Sequence, residues 1–263
     1  MKIQILEKNG NEIKFLVEGI SAAFANALRR VMMTEVPTMA IEWVDFKKND
    51  SALSDEIVAN RLGQVPLTFD KHVYNLPSEC KCEGKGCSRC QVKLTLKKKG
   101  PDMVYSEDLK SRTKDVKAVF DKIPIVELFE GQEIEFEATA QLGIGKEHAK
   151  WQAANVGYSN LPNITIDSKK CKGCSTCVKK CVKKILKIEN DKLVVTDPLA
   201  CNVCLQCVDA CPDGAIKVGT EDDKFIFNVE TVSGIPAEEV VLDAADGLEN
   251  KINDFAKSLR KVK

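Results

Sequence analysis

A few stretches of the chain carry regular apolar patterns, and these set its expected elements. Asn9-Gly10 separates residues 2–6 from 12–18, where Ile13, Phe15 and Val17 alternate with polar residues. That pattern predicts an opening β-hairpin. Gly19 and Ser21 mark a boundary, with Ser21 as N-cap of a helix carrying Phe24, Leu28 and Val31 on one face, and Pro37 ends it. A strand is predicted around 40–47, with Ile41, Trp43, Val44 and Phe46. Two more are expected, around Ile134, Phe136 and Ala138 and around Phe225, Phe227 and Val229. The longest periodic signal closes the chain. Val241, Ala245, Leu248, Ile252, Phe255, Leu259 and Val262 step alternately by four and three, a heptad seam. Pro236 suits the first turn of that helix, Glu238 and Glu239 its positive end, and Lys257, Arg260, Lys261 and Lys263 its negative end. A seam of this length packs inside its own domain or takes a partner helix; both remain open from pattern alone.

Composition adds one anomaly to an ordinary picture. The 263 residues carry 39 Lys plus Arg against 39 Asp plus Glu, 44% apolar residues and 12 Cys. The length allows one large domain or two to three smaller ones with real cores. With zero net charge, contact with nucleic acid or membrane must come from a local patch, which excludes a generic DNA-coating role. The N-terminus lacks the apolar core of a signal peptide, and no apolar run approaches the ~18 residues of a membrane span. A soluble, unexported, cytoplasmic protein is therefore expected. In a reducing compartment, spaced cysteines are more often metal ligands than disulfides.

All twelve cysteines fall into three groups of four. The second group, Cys171, Cys174, Cys177 and Cys181, and the third, Cys201, Cys204, Cys207 and Cys211 before Pro212, repeat one pattern at a period of 30 residues. It is the bacterial-ferredoxin run for iron-sulfur clusters, in which the fourth cysteine of each run serves the other cluster. Crossed ligation is therefore expected. It puts Cys171, Cys174, Cys177 and Cys211 on one 4Fe-4S cluster and Cys201, Cys204, Cys207 and Cys181 on the other. Val182 stands where the first run would normally have proline. Zinc ribbons or structural thiols are the alternative. Lys169, Lys170, Lys172, Lys179, Lys180, Lys183, Lys184 and Lys187 surround the first run, opposed nearby only by Asp167 and Glu189. They either balance thiolate charge or form a patch for an acidic partner or a phosphate backbone. Residues 185–189 and 192–196 flank Asn190-Asp191, a hairpin turn, and 215–218 supply a further strand, so 163–221 is expected to form a ferredoxin-like module. The first group, Cys80, Cys82, Cys87 and Cys90, has short spacings, Gly84 and Gly86, and strand-like Val92, Leu94 and Leu96 after it. A loop tied by four thiolates fits structural zinc; metal-free or oxidised cysteines are the alternative.

No nucleotide or catalytic signature accompanies these groups. Gly143-x-Gly145 lacks a third glycine, no Walker-type loop occurs, and the serines lack a nucleophile elbow. The two histidines are His72 and His148; His148 and Trp151 suit a packed loop better than a site.

The non-cysteine residues carry a resemblance. Phe24-Ala-Asn-Ala-Leu-Arg-Arg-Val31, Val36-Pro-Thr-Met-Ala-Ile41, Asp55-Glu-Ile-Val-Ala-Asn-Arg-Leu-Gly-Gln-Val-Pro-Leu67, residues 143–151, and 225–234 with the closing helix stand in the order found in the alpha-like subunits of cellular RNA polymerases. The chain resembles that family, and the cysteine module points to its archaeal D-type members. The resemblance implies an α+β chain: an alpha-like dimerisation domain from residues 1–47 and 222–263, an inserted mainly β domain at 48–162 with a zinc loop, and the two-cluster module. It also implies a heterodimer with the small alpha-like subunit L, as a platform for the large catalytic subunits alongside small assembly subunits. The interface would be Phe24, Leu28 and Val31 with Val241, Ala245, Leu248, Ile252, Phe255 and Leu259, and Arg29 and Arg30 at its rim. No catalytic residue is expected, since no clustered aspartates could hold catalytic magnesium, and no sequence-specific nucleic-acid contact. Clusters that are structural or redox-sensing would follow. A ferredoxin-type electron-transfer protein with a docking domain is the rival, and a zinc-bearing nucleic-acid binder a third possibility.

Overall fold

The computed structural model of the chain describes residues 1–261. Its first half contains β1 (Lys2–Lys8), β2 (Glu12–Glu18), α1 (Ala22–Thr34), β3 (Thr38–Asn49), α2 (Asp55–Gly63), β4 (Gln91–Lys99), β5 (Asp102–Tyr105), β6 (Lys110–Ser111) and β7 (Pro124–Leu128). Then come β8 (Glu133–Gly143), β9 (Ala154–Ile166), α3 (Thr176–Lys180), β10 (Leu186–Glu189), β11 (Lys192–Val195), α4 (Gln206–Asp209), β12 (Ile216–Thr231) and α5 (Ala237–Lys261). Contacts group these into two units. One holds Met1–Leu6, Lys14–Ala25 and Tyr158–Phe227; the other holds Glu7–Ile13, Asn26–Gly157 and the chain from Asn228 onward.

In the first unit the main sheet runs β1-β2-β12-β9. The opening turn forms as its sequence predicts, with the Asn9 side chain accepting from the backbone N–H groups of Asn11 and Glu12. Phe15 stacks on Phe227 with ring centroids 5.1 Å apart, and Tyr158 meets the edge of Phe225 at 5.7 Å. These aromatic contacts anchor the sheet's buried face. The strands expected at 215–218 and 225–229 are one continuous strand, β12. The polar stretch between them, Thr220 to Lys224, is exposed or partly exposed, so it breaks the apolar pattern without breaking the backbone ladder.

The second unit is built on a sheet of order β3-β8-β4-β6. Along β8, Ile134, Phe136 and Ala138 are buried while Glu133, Glu135 and Glu137 face out, where Lys48, Lys93, Lys97 and Arg112 pair with them. Strand β3 carries a register shift between Ile41 and Trp43. That bulge turns Val44 and Phe46 toward the core and leaves Trp43 51% exposed, so the strict alternation fails there. Helix α2, which apolar spacing does not reveal, buries Val58 and Leu62 in the same core.

The 143–151 loop is packing. The indole N–H of Trp151 donates to the Gln141 carbonyl at 3.2 Å, and the Lys150 ammonium lies 4.4 Å from the Trp151 ring while pairing with Glu42. A side chain at Gly143 would come within 2.4 Å of the Trp151 ring, which explains glycine at that position.

Candidate metal centres

The first cysteine group closes into one site. Three tight turns start on its cysteines, with backbone N–H donation from Glu83 to the Cys80 carbonyl, Lys85 to Cys82 and Cys90 to Cys87. Glu83, Gly84 and Gly86 supply the left-handed conformations that fold the loop back. The sulfur-to-sulfur distances are 3.6 Å for Cys80 to Cys87, 3.5 Å for Cys82 to Cys90 and 3.8 Å for Cys87 to Cys90. Tetrahedral zinc with Zn–S bonds of ~2.3 Å requires sulfurs about 3.8 Å apart, so the donor set fits zinc. Burial pushes the Cys90 thiol up to about 12, while donation from the Cys80 thiol brings Cys82 down to about 7. At Cys80 the Cys82 backbone N–H favours the thiolate, but thiol donation to Cys82 and burial outweigh it and the net shift is upward. Cys80 and Cys90 of a free site thus keep their protons near neutral pH, and a cation would displace them.

The other eight cysteines lie in a module whose own core is small: Ile185, Leu186, Leu193 and Ile216, with Cys177, are buried, and Ile164, Ile166, Ile188, Val195 and Val218 pack against them. The expected hairpin is β10 paired to β11, and its turn residues Asn190 and Asp191 have φ of 48° and 59°, as the primed turn requires. The sequence repeat is also a backbone repeat. Gly173, Ser175 and Lys184 have φ of 68°, 60° and 55°, and their counterparts 30 residues on, Val203, Leu205 and Gly214, have 54°, 62° and 58°. A left-handed conformation costs about 1–3 kcal/mol at a non-glycine residue, and β-branched Val203 bears it worst. Strain repeated at equivalent places is what aiming four thiols inward from so short a loop demands. Only Gly173 and Gly214 hint at it in the sequence.

The structure gathers these cysteines across the two runs. Cys171, Cys174, Cys177 and Cys211 line one cavity, and Cys181, Cys201, Cys204 and Cys207 line another. Neither set is gathered within 4.8 Å as the first cysteine group is; among the described residues that group alone meets this limit. Four thiols spread around a cavity fit a multi-iron cluster better than a single ion. Burial raises the Cys177 and Cys207 thiols, whereas the Thr176 hydroxyl beside Cys174 lowers that one.

The expected interface residues divide. On α1, Leu28 and Val31 are buried within the chain at 7% and 6% exposure, together with Ala25 and Met32. Phe24 is 40% exposed, Arg29 half-buried and Arg30 exposed. On α5 the buried stripe is Ala237, Val240 and Ala244, one step round from the seam. Along the seam Val241 and Leu248 are half-buried and Ala245 exposed, and its C-terminal part is open: Ile252, Phe255 and Leu259 are 66%, 66% and 55% exposed. The helix also makes ion pairs beside its buried stripe, Glu238 to Lys8, Asp243 to Lys71 and Lys251 to Glu35. Val262, the last seam position, and Lys263 lie outside the described residues. No described helix is long and apolar enough to cross a membrane.

Comparison with known proteins places this architecture. The model of the RNA polymerase Rpb3/Rpb11 dimerisation domain matches residues 14–252. A Methanosphaera stadtmanae protein named DNA-directed RNA polymerase subunit Rpo3 is 44% identical over 263 residues, covering 97% of each chain. The Rpo3 proteins of Methanothermobacter thermautotrophicus and Thermococcus kodakarensis are 45% identical over 255 residues and 39% identical over 264. They cover 95% and 100% of this chain, and 96% and 99% of their own lengths. The relatives' designation is thus Rpo3, which replaces the D suggested by resemblance. A match of this extent leaves a free-standing ferredoxin-type carrier unfavoured. The chain belongs to the RNA polymerase Rpb3/Rpb11 dimerisation-domain family, as an archaeal alpha-like member.

Proposed function

We propose that this chain is the non-catalytic assembly subunit of an archaeal DNA-dependent RNA polymerase. It pairs with the small alpha-like subunit L, and the pair is the platform on which the large catalytic subunits and small assembly subunits gather. The observation that carries the proposal is the C-terminal part of the α5 seam, where Ile252, Phe255 and Leu259 continue the apolar face beyond the buried stripe and stand exposed. An apolar row on a 25-residue helix suits a partner helix. Dimerisation would draw on residues 1–47 and 222–263, with 48–162 as the inserted domain and 163–221 as the cluster module. Anaerobic affinity purification from the native cells should recover the large polymerase subunits and one small alpha-like protein in stoichiometric amounts. Recovery of the chain alone, or with oxidoreductases, would remove the assembly role.

Two 4Fe-4S clusters and one zinc ion complete the proposal. The clusters would occupy the two four-cysteine cavities, stapling a module whose apolar core is too small to hold it alone, and their loss would loosen the assembly. Such clusters supply structure, or a redox signal to assembly. Zinc would sit among Cys80, Cys82, Cys87 and Cys90 with no open coordination position, a structural role. Its affinity carries a pH signature. Cys80 and Cys90 stay protonated in the free site below their raised pKa values, so zinc must displace both protons. Competition titration should therefore show apparent affinity falling at least ~10⁴-fold from pH 8 to pH 6, tenfold per thiol per pH unit. The fall should steepen below about 7, where Cys82 also holds its proton. A pH-independent affinity would remove the four-thiolate site.

A further inference from the structure

The internal repeat supplies its own control for the lysines around the first run. Residues 169–187 carry eight lysines and no carboxylate, whereas the equivalent residues 199–217 carry one lysine, Lys217, and two aspartates, Asp209 and Asp213. Both copies hold four cysteines, and both have the same left-handed backbone positions. Two equivalent four-cysteine sites do not by themselves call for eight lysines in one copy and one in the other.

All eight side chains are exposed, and among the described residues only Lys172 has a carboxylate within ion-pair distance, Asp213 at 2.6 Å. The other seven follow one continuous path, from the loop before α3 through its last turn to β10. Lys170 and Lys172 border the first cavity and Lys183 the second, so the charge spans the module. Seven unpaired like charges repel one another unless an anion is nearby.

We infer that residues 169–187 form a docking surface for the phosphate backbone of duplex DNA, bound without regard to sequence. The chemistry selects this anion. The module has no aromatic residue between Tyr158 and Phe225, so it offers neither a stacking platform for unpaired bases nor the aromatic anchors of a protein hot spot. Val182, 64% exposed, is the one exposed large apolar side chain within the patch. Arginine, the residue of bidentate base and carboxylate recognition, is absent from it. What remains is a set of point charges on a fixed scaffold. That suits a rigid rod with one phosphate charge per ~1.7 Å. The chain is neutral overall, so this contact is local and strongly dependent on salt.

The test uses the full chain with its iron bound and a labelled random-sequence duplex, followed by fluorescence anisotropy from 50 to 200 mM salt. Seven phosphate contacts at a slope of about −0.9 each predict a loss of affinity of about 6,000-fold across that range. Replacing four lysines (Lys179→Gln, Lys180→Gln, Lys183→Gln and Lys184→Gln) leaves three contacts and a loss of about 40-fold. Unchanged iron content in that variant shows that the module has kept its fold, and arginine at the same four positions should restore the steep slope. Three results would each overturn the inference: no duplex binding by the wild-type chain, a wild-type slope in the glutamine variant, or tighter binding of polyglutamate or single-stranded RNA than of the duplex.

Discussion

Ile252→Glu combined with Phe255→Glu is expected to abolish pairing with the small alpha-like partner, lowering affinity at least ~10³-fold, while the chain itself stays folded. Both side chains are 66% exposed on α5, and substitutions at such positions in an isolated chain usually change stability by no more than ~0.5 kcal/mol. In a helix-helix interface they would occupy the centre of the seam. There each truncation costs about 2–4 kcal/mol, and a carboxylate left without a partner in an apolar interface adds its desolvation. The buried stripe gives the contrasting result. Val240→Glu places a charge at a fully buried position and should unfold the chain instead of only releasing the partner. Calorimetric titration with the partner, beside a thermal melt of each variant, separates the two effects. Unchanged affinity in the double variant would move the interface away from α5.

The heptad was visible in the sequence because its residues are large, apolar and regularly spaced. Its direction was not. Ala237, Val240 and Ala244 are mostly small, so spacing alone gives them little weight, yet small residues are what allow a helix to lie close to its own domain. The same ambiguity holds for Leu28 and Val31, which are buried within the chain: a helical stripe read from sequence does not say how much of its cover is intramolecular. The opening hairpin, α1 and the β10–β11 turn were legible because Asn-Gly, Ser21 and Asn-Asp each have a local conformational reason to be there. Strand β3 was legible in place but not in facing, since a bulge shifts the alternation and has no side-chain signature at Ile41 to Trp43. Strands β7 and β9 were missed because neither has a clean period-two pattern bounded by turn residues. For the cysteines, spacing alone suggested the groups; the strained residues Val203 and Leu205 that orient them could only be seen in the backbone.

The largest spectroscopic effect should come from pairing substitutions across the two cysteine runs. Crossed ligation makes Cys181 and Cys204 members of one cluster, and Cys174 and Cys181 members of different ones. Cys181→Ala with Cys204→Ala should therefore keep roughly half of the wild-type iron, while Cys174→Ala with Cys181→Ala should lose essentially all of it. Run-by-run ligation reverses the two outcomes, so iron and sulfide content per chain, with the visible absorbance of the clusters, decides between them. The cavities favour the crossed pattern, since Cys211 stands with Cys171, Cys174 and Cys177, and Cys181 with Cys201, Cys204 and Cys207. The physical reason lies in the run itself. Three thiols on a loop with left-handed turns at Gly173 and Ser175 converge on one cavity. The fourth follows α3, whose turn carries Cys181 past that cavity to the next, and α4 does the same for Cys211. Each four-cysteine cavity thus draws on both runs, and two clusters held there would fasten the halves of the module together. Losing one cluster should therefore loosen both halves, and the half-iron variant should melt below the wild type in its cluster absorbance. A half-iron variant that melts like the wild type would show that the clusters do not fasten the module.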